Sequence, residues 1–405
     1  MYKIINRKKL YATMLADAIG RLIFFPHTLF RTQGDIRPDQ IKTILIIRTA
    51  YIGDVVMTLP MLAPIRQRFP HARISFLTCT SCAAVLQNNP YVDEILTYCP
   101  FWFYPTRKLQ YFEFLSTIGR RQFDLVIETR GDIRELLLLV FPLKTRHRVG
   151  CAAGGGGYLL SHPVPYHGPK HRVDYHLDLA RFLGCSVDQD MSWSLYLDES
   201  EQAQVDVLLA NHQVPAGKAI YTLHPGSRKP LKCWPADRFA AIADWLAEET
   251  GCPVVLTGSP DEMPLVQEVI DHMKTRPVNL AGATTLRQLA AIIGRSALFV
   301  CNDSSPMHLA VAMNTPTIAI FGPSKSRETG PYGPGHQVVE KDFPCRFSCD
   351  EDLCHFPENN QCMKAIAVAD VQAAIIAARQ KSAGVRPIDN QLSPPANQEK
   401  GQDHE

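Results

Sequence analysis

Three stretches place reactive side chains where a run of apolar residues stops. In IIRTAYIGDVVMTLP, Ile46 to Pro60, an apolar run that begins at Ile44 breaks at Gly53 and is followed at once by an acid, Asp54. HPGSRKPLKCWP, beginning at His224, supplies Ser227 as a hydroxyl donor and Arg228, Lys229 and Lys232 as positive charge, with Gly226 permitting close backbone approach. NDSSPMH, Asn302 to His308, sets Asp303, Ser304 and Ser305 directly before a helical pattern, with His308 about one turn further in. A carboxylate so placed can take a proton from a hydroxyl, and a helix start beside basic side chains suits a phosphate. Plainer readings stay open at this point: Asp54, Asp303 or Ser304 as helix N-caps, and the basic loop as a solvated surface.

Each stretch needs a strand before it and a helix after it, and the hydrophobic pattern supplies both. Ile44, Leu45, Ile46 and Ile47 are continuous rather than alternating, as in a strand covered on both faces; Val55, Val56, Leu59, Met61, Leu62 and Ile65 then recur at helical spacing. Strand and helix patterns alternate from residue 41 to about 195, and a second series of comparable size runs from the helix beginning at Glu199 to the strand Thr317–Phe321. The expectation is an α/β chain of two Rossmann-like domains, 41–195 and 196–365, with a ligand cleft between them. A closing helix follows at 366–380, and residues 381–405, rich in Pro, Gln and Asn, are expected to be disordered. Residues 150–175 read as irregular.

Bulk properties narrow the partners. The chain has 405 residues, more than one core usually supports, and its formal net charge of +2 gives no general reason to bind nucleic acid. Charge is instead local. Residues 1–31 carry six basic side chains against one acid, Asp17, a net of +5. The apolar part of this 1–40 extension is interrupted by Asp17, Arg21 and Pro26, and falls short of the roughly 20 apolar residues of a membrane span. It also lacks the small-residue cleavage site of a signal peptide. Two readings stand equal: a basic amphipathic anchor on an anionic membrane surface, or a helix packed on the first domain.

Twelve cysteines, several within strand patterns, suggest reduced thiols and a cytoplasmic location. Cys345, Cys349, Cys354 and Cys362, with His355 nearby, read first as a thiol cluster and second as a zinc site. Two weaker signals are set aside. Gly154–Gly157 lacks the Lys-Ser/Thr of a P-loop and reads as a flexible loop; Asp188 and Asp190 mimic a metal-binding acid pair but fall in the connector between domains.

Taken together, Gly53-Asp54 with Leu59-Pro60, His224–Ser227 followed by Lys232-Cys-Trp-Pro, Asn302–His308 and Phe321-Gly-Pro-Ser resemble bacterial glycosyltransferase family 9, over about residues 42–375. Its best-known members are the ADP-heptose:lipopolysaccharide heptosyltransferases. The resemblance implies a GT-B fold, inverting transfer without metal or cofactor, and a nucleotide-diphosphate sugar donor held mostly by the C-terminal half. By resemblance Asp54 is the catalytic base, Lys232 a donor-phosphate contact, Asp303 a sugar contact, and Ser304, Ser305 and His308 the diphosphate loop, with Ser227 in the same donor site. Ser305 departs from the Gly of many members, and a side chain there is expected to crowd the phosphate. For an anionic lipid-linked saccharide acceptor, Arg130 and Arg134 after the strand ending near Glu128, then Arg148, are the candidates, with Arg146, Lys170, His171 and Arg172 as further basic residues. Two rivals remain: a relative using another sugar nucleotide for O-antigen or capsule, and a silent nucleotide-sugar-binding protein. Attachment to the cytoplasmic face of the membrane follows if the 1–40 segment meets lipid.

Overall fold

The computed structural model describes residues 7–25, 34–187, 194–346, 353, 354, 356 and 359–383. Its frame is two six-stranded parallel sheets. The first comprises β1 (Thr43–Ile47), β2 (Arg73–Thr78), β3 (Glu94–Thr97), β4 (Gln122–Glu128), β5 (Lys144–Cys151) and β6 (His162–Val164), in the order 3-2-1-4-5-6. The second comprises β7 (Ile220–His224), β8 (Val254–Leu256), β9 (Val278–Asn279), β10 (Ser296–Asn302), β11 (Thr317–Phe321) and β12 (His336–Glu340), in the order 9-8-7-10-11-12. Renumbered from its own first strand, the second sheet repeats the first. In such sheets the strand order reverses between the first and fourth strands, and the crevice outside their carboxyl ends is where ligands bind. Here those pairs are β1 with β4, in register from Ile44–Leu125 to Ile47–Glu128, and β7 with β10, reaching His224–Cys301.

The central strands are apolar because helices cover both faces: Ile44 to Ile47 and Phe299 to Cys301 are fully buried. One buried cluster joins Val55, Leu59 and Leu62 of the first lobe to Met307, Leu309 and Ala310 of the second, and the helices Ile52–Val56 and Ser305–Ala312 pack against each other. Arg287, almost wholly buried, fastens the lobes elsewhere: it donates to the carbonyls of Ala84 (2.9 Å) and Tyr196 (2.6 Å) while pairing with Glu201. The two-lobed GT-B arrangement expected from the sequence is the one observed.

Four sequence expectations need correction. Residues 150–175 are not uniformly irregular, since β5 ends at Cys151 and β6 lies within them. The polar alternation Lys144, Arg146, Arg148 hides β5, whose burial is confined mainly to its last residues. The closing helix, Val368–Ala383, runs past 380 into the stretch expected to be disordered, the rest of which lies outside the described residues. Cys79 and Cys99 form a disulfide rather than two thiols, brought together by the adjacent ends of β2 and β3.

The fourth correction is Gly154–Gly157, which is a seat rather than a loose loop. Gly155 and Gly156 take φ of +91° and +82°, and a Cβ on Gly155 would stand 2.8 Å from Thr13 Cγ2 and 3.0 Å from Asp17 Oδ1. The N-terminal helix Arg7–Ile23 rests there, with the Gly156 N–H donating to Asp17 (2.7 Å). Of the two readings of this segment, packing on the first domain is therefore realised. Asp188 and Asp190 lie outside the described residues.

Candidate active site

Asp54 sits in the first turn of the short helix Ile52–Val56, immediately beyond β1; the N-cap position belongs to Tyr51, so Asp54 is not the cap. Its side chain is 16% exposed and pairs with Arg48 (Nη2, 2.8 Å), with Arg172 at 3.9 Å. Burial alone would raise its pKa, but Arg48, then Arg172 and Arg130, outweigh burial and hold it well below the usual carboxylate range. Arg48 is fully buried, and against the cost of burial Asp54, Glu135 and Glu128 keep it firmly charged. Beneath it, Glu128 accepts the Arg130 and Gly131 N–H groups at 2.8 Å, while Glu135 accepts the Thr49 hydroxyl. Burial, with Glu135 alongside, pushes Glu128 well above the ordinary carboxylate range. His176 bonds the Met57 carbonyl (2.8 Å) at the end of this helix; burial, then Arg48, push it down to about 3.

On the second lobe the two loops are locked together by one amide. Asn302, at the end of β10, accepts from the Trp234 N–H (3.1 Å) and donates to the Pro225 carbonyl (2.7 Å), tying the NDSSPMH loop to the HPGS loop. Ser227 donates to the Asp303 carbonyl (3.0 Å), Lys232 pairs with the Asp303 carboxylate (2.8 Å), and Ser324 donates to that carboxylate. Ser304, not Asp303, is the N-cap residue of the helix Ser305–Ala312, but it makes no side-chain cap bond: its hydroxyl donates to the Asn302 carbonyl (3.3 Å). Ser305 opens the helix, half-buried, and His308 lies one turn in, where burial pushes it down to about 4 and leaves it neutral. His308 reaches the first lobe: a Cβ on Gly53 would meet its ring at 2.5 Å, so only glycine lets the two helices close here.

Of the expected acceptor residues, Arg130 and Arg134 are brought to the cleft and Arg148 is not. Arg130 and Arg134 lie over the Phe103 ring (4.0 and 4.7 Å), and Phe103 and Tyr104 pack against Tyr51 beside Asp54. Asp132 holds Arg134 through two bonds of 3.0 and 2.7 Å. Arg148 instead donates to the Leu143 carbonyl (3.2 Å), just before β5 begins, at the opposite end of the sheet from Asp54. Lys170 is engaged by Asp178, and His171 bonds the Gly330 carbonyl (3.0 Å) of the second lobe. Two neighbours of the site went unread in the sequence, Arg48 and the aromatic shelf of Tyr51 and Phe103; Arg228, read there only as loop charge, crosses from the second lobe to lie 4.0 Å over the Tyr51 ring. The signal for Arg48 was a charge directly after an apolar strand.

Among the described residues no three His, Cys, Asp or Glu side chains gather as a metal site. Cys345, Cys354 and Cys362 are described, while Cys349 and His355 lie outside.

Comparison with known proteins agrees with this architecture. The family model "Glycosyltransferase family 9 (heptosyltransferase)" matches residues 111–356. Lipopolysaccharide heptosyltransferase 3 of Escherichia coli K12 is 29% identical over 285 residues, 67% of this chain and 80% of that protein. Lipooligosaccharide heptosyltransferase 2 of Haemophilus influenzae is 25% identical over 304 residues, 71% of this chain and 85% of that one. Among solved structures, a family 9 glycosyl transferase from Veillonella parvula superposes with a TM-score of 0.73 at 23% identity, covering 87% of this chain and 99% of its own. The E. coli ADP-heptose lipopolysaccharide heptosyltransferase II gives 0.67 at 22%, covering 84% and 99%. With the family matched over more than half of the chain, and the same two-lobed fold in the solved structures, the chain belongs to glycosyltransferase family 9 and is a glycosyltransferase.

Proposed function

We propose that the chain transfers heptose from ADP-heptose to a lipopolysaccharide core saccharide, with inversion at the anomeric carbon and without a metal. One observation carries the reading: Asp54, paired with Arg48 on the first lobe, and Asp303, paired with Lys232 on the second, both lie near His308, where the two lobes meet. The names of the relatives, lipopolysaccharide and lipooligosaccharide heptosyltransferases, support the sugar and the acceptor.

The chemistry follows from the placement. As the acceptor oxygen attacks the anomeric carbon, its proton passes to Asp54 and the bond from that carbon to the diphosphate breaks. The leaving ADP gains negative charge, which Lys232 and the start of the helix Ser305–Ala312 are placed to stabilise; His308, neutral, can donate one hydrogen bond. Lys232 meanwhile holds Asp303, which is poised to receive a sugar hydroxyl. Arg48, Arg130 and Arg172 keep Asp54 ionised but make it a weak base. A bound diphosphate lying opposite adds negative charge, and so restores basicity only when donor is present. On the acceptor side, Arg130 and Arg134 on the Phe103 shelf suit phosphate or carboxylate groups of a lipid-linked core.

Turnover with ADP-, UDP-, GDP- and CMP-sugars, each against lipopolysaccharide core acceptor, tests this. Productive transfer from ADP-heptose with inversion is expected. Transfer from another nucleotide sugar alone removes the heptose assignment, and nucleotide binding with no transfer from any donor returns the chain to the silent-binder reading.

A further inference from the structure

The helix Arg7–Ile23 is amphipathic the wrong way round for a helix in water. Its inward face is Thr13, Asp17, Gly20 and Phe24 just beyond, small or polar except for the last; Gly20 lies against Tyr158, where a Cβ would meet the ring at 2.3 Å. Its outward face is Tyr11, Met14, Leu15, Ile19, Leu22 and Ile23, between 47% and 79% exposed and repeating at helical spacing. A helix of a soluble surface buries such a stripe; this one buries its only acid instead. Asp17, 4% exposed, is turned in to the Gly156 N–H, so no carboxylate remains on the outer side of a segment that begins Arg7-Lys8-Lys9 and has Arg21 in its last turn.

The stripe continues onto a second element. Phe24 packs on Phe141 (5.0 Å) and Tyr158 (5.7 Å), and the segment 136–141 reaches the helix Leu109–Ile118, where Tyr111 donates to the Leu138 carbonyl (2.9 Å). That helix exposes Leu109 (65%) and Phe112 (63%), and Leu137 between the two helices is exposed as well. Arg107 and Lys108 precede it, and the chain just before them carries Phe103 and Tyr104 to the acceptor side of the cleft.

We propose that this two-helix face docks on an anionic lipid bilayer, lying in its interface and presenting the acceptor side of the cleft to the membrane. Charge selects lipid as the occupant. The face joins apolar residues with Arg21, Arg107 and Lys108, and its N-terminal helix withdraws its acid, leaving Glu113 on the second helix as the exposed carboxylate, a balance that matches acyl chains edged by anionic headgroups. Seventeen residues make a helix about 25 Å long, shorter than the roughly 30 Å hydrocarbon core, and among the described residues no helix is long and apolar enough to cross a membrane. The helix therefore lies flat. The orientation deepens the lipid-linked acceptor reading and rests on it for its purpose, whereas binding to lipid is measurable without any sugar.

Cosedimentation of the full chain with vesicles of phosphatidylcholine, alone or mixed with phosphatidylglycerol, is the test, alongside sedimentation equilibrium without lipid. Wild type should pellet with the mixed vesicles, less at high salt, and weakly with phosphatidylcholine. Leu15→Glu with Ile19→Glu, and separately Leu109→Glu with Phe112→Glu, should each weaken binding about tenfold or more while leaving transfer to a lipid-free core saccharide unchanged. Wild type remaining in the supernatant, or either pair pelleting as wild type does, overturns the proposal. So does a self-associating wild type that the same substitutions render monomeric, which would make a second copy the occupant. Failure of transfer with vesicle binding intact would instead strike the sugar-transfer reading.

Discussion

The two lobes share one strand order, yet they prepare their carboxyl edges by different physics. At the edge of β1 and β4 buried ionisable groups crowd together: Arg48, Asp54, Glu128 and Glu135, with Arg130 and Arg172 at the rim. At the edge of β7 and β10 neutral bonds hold the loops through Asn302 and Ser227, beside the His224–Glu262 contact and the Lys232–Asp303 ion pair. In the proposed transfer the first edge tunes a proton acceptor and the second holds a fixed cradle. A displacement reaction needs both, since a base must suit its proton whereas an anion site must already point at charge that develops later.

Breaking the first edge should have the larger effect. Asp54→Asn should lower kcat by about 10²–10⁴ and leave ADP affinity close to wild type, measured by steady-state turnover and calorimetry. Unchanged turnover would remove Asp54 from the mechanism. Arg48→Met strips the buried partner from Asp54 and should cost about 3–5 kcal/mol of stability in denaturant titration. It should also move the acid limb of kcat/KM to higher pH, because Asp54 loses the charge that chiefly depresses it. A limb that stays put means another group controls ionisation. At the second edge, Lys232→Ala should lower kcat/KM for donor by about 10²–10³ while acceptor KM holds. Equal losses in both would show that the lobes do not divide the labour as described.

How much of this division was legible depends on the distance between partners in sequence. Asp54 and the NDSSPMH loop were readable because each follows its own apolar strand within a few residues. Arg48 was not, because a single arginine after a strand reads as solvated until Glu128 and Glu135, some 80 residues on, are folded beneath it. The same holds for Gly154–Gly157, whose meaning lies in Thr13 and Asp17 almost 140 residues earlier, and for the Cys79–Cys99 disulfide, which needs β2 beside β3. Arg148 misled for the opposite reason. It shares a basic strand with Arg146, and only the register of β5 on β4 shows its side chain running back toward Leu143, away from the cleft.

Each lobe also buries a neutral histidine near the cleft, and these sharpen the comparison by pH. His176 is pushed down to about 3 and His308 to about 4, both first by burial. As pH falls below the ordinary 6.5, the unfolded chain takes up a proton that the folded one refuses, so stability falls until the folded value is reached. Each site contributes a slope of up to about 1.4 kcal/mol per pH unit. His308→Gln should flatten the decline between pH 6.5 and about 4 in thermal or urea unfolding. An unaltered slope would place His308 in solvent rather than between the lobes.

The smallest effect belongs to the contact that joins the two edges at their rim. Arg228, from the cradle, lies over Tyr51, next to the helix that carries the base, in a cation–π contact that is exposed at the arginine. Such contacts are worth about 0.5–1 kcal/mol at exposed sites, so Arg228→Ala should change kinetic constants only a few-fold. Which constant moves is the informative part. If Arg228 serves the acceptor shelf with Arg130 and Arg134, acceptor KM rises, ADP affinity holds, and Tyr51→Leu reproduces the change without adding to it in the double variant. If Arg228 instead leaves Tyr51 for the donor phosphates, ADP affinity falls and Tyr51→Leu leaves it untouched. The rim arginine would then be part of the fixed cradle, and the division between a tuned edge and a rigid one would run along the crevice with no residue serving both sides.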